Sequence, residues 1–383
     1  MALIGAVILL SFLVSVLLLR GSVQRSRRGH LPLPPGPKGW PVLGNLLQVG
    51  PNFHQTLYNL SKIHGPILHL RLGSVDFIIV NSKAAAETML RIDLKFSSRP
   101  RTSATYHVSY KQQDMVFTPY GPRWRMLRKL CAVHLFSNKA MEHLRPIRED
   151  EVTRLVQKLS RNSSSLVDLS KEIHACATNA ISRVLVGRRV FEAGDKAQEF
   201  KGMIEELMIL ASSINIGDFI DVLRWFDLHG LVAKMKKFHQ RFDNFLERLI
   251  EEHRAGLTET GSANGDMLSI LIDLANSQGN GDVVALTDAD IKPLLQNMFI
   301  AGTETSSNTV EFAIVELIRQ PELLARAQQE MDAVVGRGRL VTEGDLHNLP
   351  FLQAVVKETF RCHPVAPLSL PAWSPRTSRS MAI

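Results

Sequence analysis

Glu304 and Thr305, in the run Ala301-Gly302-Thr303-Glu304-Thr305-Ser306, are a carboxylate and a hydroxyl side by side in an otherwise apolar pattern. Such a pair can relay a proton to a reducible oxygen on a ligand held against that face. Gly302 would let a flat ligand lie against bare backbone, and local widening near Thr305 would free a carbonyl for water. The plainer alternative is a kinked core helix whose Ser and Thr side chains bond back to their own turn. Trp124 and Arg128 stand one turn apart and can offer an indole N–H and a guanidinium to an anion, or simply pack on each other at a surface. Glu358 and Arg361 form an i, i+3 acid–base pair, which at a surface contributes only about 0.2–0.5 kcal/mol. A Ser-His-Asp arrangement, a P-loop, a GxGxxG run and zinc spacing are all absent, which removes hydrolase and kinase readings.

These residues must be positioned by helices. Ile291, Leu294, Leu295, Met298, Gly302, Thr305, Thr309 and Phe312 recur at three- and four-residue spacing, which predicts one helix from Leu286 to Gln320. Thr287 and Asp290 suit its first turn as a capping box, Pro321 stops it, and Pro293 should disturb its early turns. Pro122 opens the helix carrying Trp124 and Arg128, expected over Pro122–Leu135, and a helix over Pro350–Arg361 carries Glu358 and Arg361. Further helices are expected at Lys83–Arg91, Lys139–Leu159, Leu169–Val186, Asp195–Ile214, Leu223–Glu252, Met267–Asn276 and Glu322–Val335. Leu68, Leu70 and Leu72 alternate with His69 and Arg71, and Gly73-Ser74 turns the chain into Phe77–Val80, a β-hairpin. The body is therefore mainly α with a small sheet.

With 383 residues, 45% of them hydrophobic, the chain can bury a large core. The net charge of +8 is spread along helices without basic and aromatic interleaving, which speaks against nucleic acid as a partner. Cys131, Cys176 and Cys362 form no CxxC pair and no disulfide framework. Ala2 to Leu19 would span about 27 Å as a helix, and Arg20, Arg25, Arg27 and Arg28 follow it. That order fits an uncleaved anchor with the body facing the cytosol. Residues 1–20 are thus read as a transmembrane anchor and 21–40 as a basic, Pro-rich hinge, in which Leu31 to Pro37 forms a stiff spacer.

In this order, the anchor and hinge, Trp124-x-x-x-Arg128, Ala301-Gly302-x-Glu304-Thr305-Ser306 and Glu358-x-x-Arg361 resemble a plant microsomal cytochrome P450. Phe117 to Arg125, Asn297 to Ser307 and Pro367 to Pro371 narrow the resemblance to flavonoid 3′-hydroxylases, though Glu304 stands where that group usually has Asp. The resemblance implies the cytochrome P450 fold over residues 41–371. It implies a haem cofactor, an NADPH-cytochrome reductase as electron donor, a small aromatic substrate and residence in the endoplasmic reticulum membrane. It assigns Trp124 and Arg128 to a haem propionate, Ala301 and Gly302 to the flanks of the distal oxygen site, and Glu304 and Thr305 to proton delivery. Glu358 and Arg361 would be structural, locking their helix end to a later loop. Residues 101–116 and 201–225 with Val365 to Leu370 would line the substrate pocket.

The same resemblance expects a cysteine in a glycine- and arginine-containing loop well beyond Arg361, and Cys362, one residue on, is in the wrong place for it. Residues 372–383 are expected to be an atypical polar tail, as from a frameshift, a retained intron or a gene-model error after Pro371. The expectation is an aromatic-ring monooxygenase whose 383-residue chain, lacking the thiolate, is inactive. The alternative is a non-catalytic, membrane-anchored truncated product that binds ligand or partner enzymes.

Overall fold

The structure, a computed structural model, describes residues 32–50, 52–89, 96–191, 195–260, 265–276, 286–373 and 380–382. The expected anchor at 1–20 and the arginines after it lie outside these residues. Among the described residues, no helix is long and apolar enough to cross a membrane.

The hairpin forms as β1 (Ile67–Leu72) and β2 (Val75–Val80), antiparallel with Ile67 opposite Val80. Gly73 takes φ +60° at the first position of its two-residue loop, as primed hairpin turns require. Leu68, Leu70 and Leu72 all face inward, so the alternation buries one face against α1 (Phe53–His64), a helix that the sequence reading missed.

After α2 (Lys83–Glu87) and α3 (Ser103–His107) comes α4 (Pro122–His134). The expected helix over Lys139–Leu159 is two: α5 (Asn138–His143) and α6 (Arg145–Arg161). Pro146 lacks the N–H that would carry the helix through, so the chain restarts there. Next are α7 (Leu169–Val186), α8 (Asp195–Ser212), the short α9 (Ile216–Phe219) and α10 (Leu231–Thr260). Leu223 falls in a separate 3-10 turn, Asp221–Trp225; α10 begins only after Gly230, with the Asp227 carboxylate accepting from the Val232 and Ala233 amides. Then follow α11 (Met267–Asn276), α12 (Asp288–Arg319), α13 (Pro321–Val334) and α14 (Pro350–Cys362).

Two described stretches of the segment expected to be a polar tail pair in the sheet. Ala372–Trp373 (β3) and Ser380–Ala382 (β4) are strands, β4 pairing parallel to β2 and antiparallel to β3. The sheet order is β1-β2-β4-β3. Trp373 also donates its amide to the Ser98 carbonyl at 2.8 Å, so backbone pairing holds a segment whose side chains give no strand signal.

The main core lies among α4, α7, α8, α10, α11 and the first half of α12, around Phe200, Phe238, Phe242 and Phe299. A smaller core of hairpin and α1 residues takes in Leu368 and Phe219 at its edge. The fold is mainly helical with one small sheet.

Candidate functional site

α12 spans 32 residues, about 48 Å at 1.5 Å per residue. The Asp290 carboxylate accepts from the Thr287 amide at 2.9 Å and hydroxyl at 2.6 Å, so the expected cap forms. From Leu294 to Phe299 every residue is buried. At Ala301 the helix changes character: Ala301, Thr305 and Phe312 are exposed, while Thr303 and Ser307 stay buried on the other side. Spacings of four and seven put the exposed three on one stripe, so the helix offers an open face where the sequence pattern turns polar.

Within that stretch the side chains bond back to their own turns. Thr303 donates to Phe299 O, Thr305 to Ala301 O, Ser307 to Thr303 O and Thr309 to Thr305 O, at 2.7–2.8 Å. The helix is α throughout, so the expected widening near Thr305 does not occur. The Ala301 carbonyl is taken by the Thr305 hydroxyl instead of being left free for water.

Gly302 corrects its expected role. A Cβ there would stand 2.9 Å from Ile181 Cδ1 of α7, so the missing side chain makes room for a neighbouring helix and not for a flat ligand. Glu304 turns the same way: its carboxylate lies 2.8 Å from His174 Nε2, also on α7. With Ser170 Oγ donating to Glu311 at 2.8 Å, these contacts run in opposite order along α7 and α12, which pack antiparallel. Adjacent in sequence, Glu304 and Thr305 therefore point their polar atoms differently, one to α7 and one along the helix.

Trp124 on α4 is half-buried with its ring 5.5 Å from that of Tyr120. Arg128, one turn on, is exposed and makes no ion pair among the described residues. Arg123, which the sequence reading passed over, reaches Asp290 Oδ1 at 2.5 Å and ties α4 to the first turn of α12. Glu358 and Arg361 also depart from expectation. They form a bidentate pair at 2.6 and 2.8 Å, but both are exposed, and among the described residues they bond only each other and Cys362. The Arg361 bond holds the Glu358 carboxyl below its ordinary value, and among the described residues the pair contacts no later loop.

The segments expected to line a pocket do converge. Asn297, one turn before Ala301, accepts the Met115 amide at 3.0 Å and donates to the Asp114 carboxylate at 2.9 Å. Gln296 donates to Val108 O at 3.1 Å. Asp218 of α9 accepts the Ser103 amide and hydroxyl, and Asn215 Nδ2 donates to the same hydroxyl. Arg99 donates to Leu370 O at 3.0 Å. Burial pushes the Asp114 and Asp218 carboxyls up from their ordinary value against the hydrogen bonds that lower them. Tyr110, Lys111 and Gln112, inside this segment, all take positive φ, which side-chain-bearing residues adopt only where surroundings enforce it.

The three thiols are dispersed. Cys131 is buried on α4, Cys176 is partly buried on α7, and burial pushes both up to about 11. Cys362 is exposed beside Arg361 and Glu358.

Comparison with known proteins gives a consistent result. The family described as Cytochrome P450 matches residues 34–373. A flavonoid 3′-monooxygenase of Crocosmia x crocosmiiflora is 53% identical over 375 residues, covering 96% of this chain and 72% of that protein. One from Petunia hybrida is 50% identical, covering 90% of this chain and 68% of its own length. A flavonoid 3′,5′-hydroxylase of Solanum melongena is 39% identical, covering 96% and 72%.

Proposed function

The chain belongs to the cytochrome P450 family, and from that premise we propose that its fold serves haem-dependent hydroxylation of an aromatic ring on a flavonoid-like phenolic. The observation that carries the reading is the open stripe of Ala301, Thr305 and Phe312, which begins where the fully buried run Leu294 to Phe299 of the same helix ends. The similarity to flavonoid 3′-monooxygenases supports the substrate class.

The distal side fits haem. Ala301 offers a methyl-sized surface, and Thr305 sets a hydroxyl beside it without a bulky group between. Arg128, exposed and uncompensated by an acid among the described residues, suits a propionate, with the Trp124 indole N–H one turn away. When bound, haem supplies dioxygen activation with two electrons from a reductase. The Thr305 hydroxyl donates to Ala301 O, which turns its lone pairs outward to accept a proton donor on the open side. The Glu304 carboxylate, held by His174, is the next group able to store a proton. Asn297 and Asp114 fix residues 115–117 against α12, so the loop beside the open stripe keeps one position.

The proximal side fits less well, and this favours the second reading, a ligand- or partner-binding product without turnover. Cys131 is buried in the main core on α4, Cys176 on α7 lines a cavity with Thr303 and not the open stripe, and Cys362 is engaged by Glu358 and Arg361. We read Ala2 to Leu19 as an endoplasmic reticulum anchor with the body in the cytosol, where a reductase can reach it.

A reduced carbon-monoxide difference spectrum separates the two readings. The 383-residue chain is expected to give no thiolate-type Soret band; that band in purified protein would overturn the second reading. Turnover of a flavonoid panel, by a version with a family-type cysteine loop joined after Pro371, tests the substrate. Ring-hydroxylated flavonoid is the expected product, and activity on non-flavonoid phenolics alone would sink the assignment.

A further inference from the structure

A cavity of about 920 Å³ lies on the side of α12 away from Thr305, between α6, α7 and α8, with Thr303 in its wall. Its floor is aromatic and aliphatic: Phe191 and Phe200, ring centroids 4.2 Å apart, with Ile204 beside them. Its walls are strongly cationic. Arg154, Lys158, Arg161, Lys171, Arg189 and Lys201 line it, against two carboxylates, Glu151 and Glu172.

Both carboxylates are already committed. Glu151, buried, lies 2.9 Å from Arg183 and 3.1 Å from Arg189, and Glu172 lies 2.6 Å from Lys158. That last bridge sets the C-terminal end of α6 beside the N-terminal end of α7. Arg161 and Lys171, on those two ends, are exposed and form no ion pair among the described residues. A rim with two uncompensated cations above an aromatic floor selects a ligand that is flat and apolar at one end and negative at the other.

We propose that this cavity binds an aromatic anion, its ring on Phe191, Phe200 and Ile204 and its carboxylate or sulfonate toward Arg161 and Lys171. The site is separate from the open stripe of α12 and meets that helix on its other side, at Thr303 in the cavity wall and through His174, which lines the cavity and holds Glu304. Binding here needs neither haem nor turnover, so its test is independent of the proposed reaction.

Equilibrium dialysis of the full chain against 2-naphthalenesulfonate, with neutral 2-naphthol as the matched ring, provides the test. The sulfonate should bind saturably and more tightly than naphthol. Arg161→Glu and Lys171→Glu, both at exposed positions, should each weaken the sulfonate by about tenfold and leave naphthol unchanged. Lys62→Glu, a charge reversal on α1, should change neither. Absence of saturable sulfonate binding, indifference to the two rim reversals, or an equal loss from Lys62→Glu would overturn the proposal.

Discussion

His174 Nε2 and Glu304 Oε1 meet at 2.8 Å, from helices whose contacting residues are 130 apart in sequence. Each side chain is only 20% exposed, so neither can fully replace the other with water. Removing one partner of a half-buried hydrogen bond costs about 1–3 kcal/mol. His174→Phe should therefore lower urea-unfolding stability by that order. Glu304→Gln, which keeps an acceptor oxygen, should cost less, and the double variant should be less than additive. Full additivity would show that the pair does not couple α7 to α12.

The close packing of Gly302 on Ile181 gives a second test. Alanine normally favours a helix over glycine by about 1 kcal/mol. Here its Cβ would sit 2.9 Å from Cδ1 and 3.0 Å from Cγ1 of Ile181. Gly302→Ala should lose its usual advantage, and Gly302→Leu should destabilise by about 2–3 kcal/mol through overpacking. In an Ile181→Ala background, which deletes both atoms, Gly302→Ala should become stabilising. A Gly302→Ala variant equally stable in both backgrounds would put the glycine's purpose elsewhere.

Asn297 is the bonding centre of the loop at 114–117. Its Oδ1 accepts the Met115 amide at 3.0 Å and the Val116 amide at 3.3 Å, while its Nδ2 serves a carboxylate only 1% exposed. Asn297→Leu keeps the volume and removes all three bonds. It should cost about 2–4 kcal/mol and open residues 110–117 to limited proteolysis. An unchanged cleavage pattern would show that the loop is held by other contacts.

Burial holds His239 and His253 below the ordinary histidine value of 6.5, the Asp266 carboxylate only partly opposing this at His253. A depressed folded-state pKa means the unfolded chain binds protons first. Stability from these residues is full above about pH 6.5 and is lost as pH falls below it toward the folded values. Asp114 and Asp218, raised above 3.8 by burial, act in the opposite sense at the acid end. Thermal unfolding should accordingly shift to lower temperature between pH 7 and 5.5, and His253→Gln should flatten that slope. A slope unchanged in the variant would remove His253 from the account.

Helix positions were legible wherever period and punctuation agreed. Thr287 with Asp290, Gly73-Ser74 and Pro122 each mark a boundary through local chemistry, and the structure places each there. Other features are set by partners remote in sequence. Nothing near Gly302 announces Ile181, and nothing near Glu304 announces His174, because the antiparallel packing of α7 on α12 creates both contacts. β4 was illegible for a related reason: its register with β2 is backbone pairing, which Ser380-Met381-Ala382 does not encode in its side chains. The break at Pro146 is local chemistry too, since its missing N–H interrupts a pattern whose periodicity runs on across it.

The three thiols should separate cleanly by reactivity, which bears directly on whether any can act as a ligand. A thiolate is the reactive form, and both burial and a raised pKa suppress it. Cys131 is fully buried with its thiol pushed up to about 11, and Cys176 reaches the same value in a partly buried site. Cys362 is exposed, with the Arg361 guanidinium 3.3 Å from its sulfur. Iodoacetamide at pH 8 should therefore modify Cys362 first, Cys176 slowly and Cys131 only after unfolding, as peptide mapping by mass spectrometry would resolve. Rapid modification of Cys131 or Cys176 in the folded chain would mean that one of these thiols is accessible as a thiolate, and would reopen its candidacy as an iron ligand.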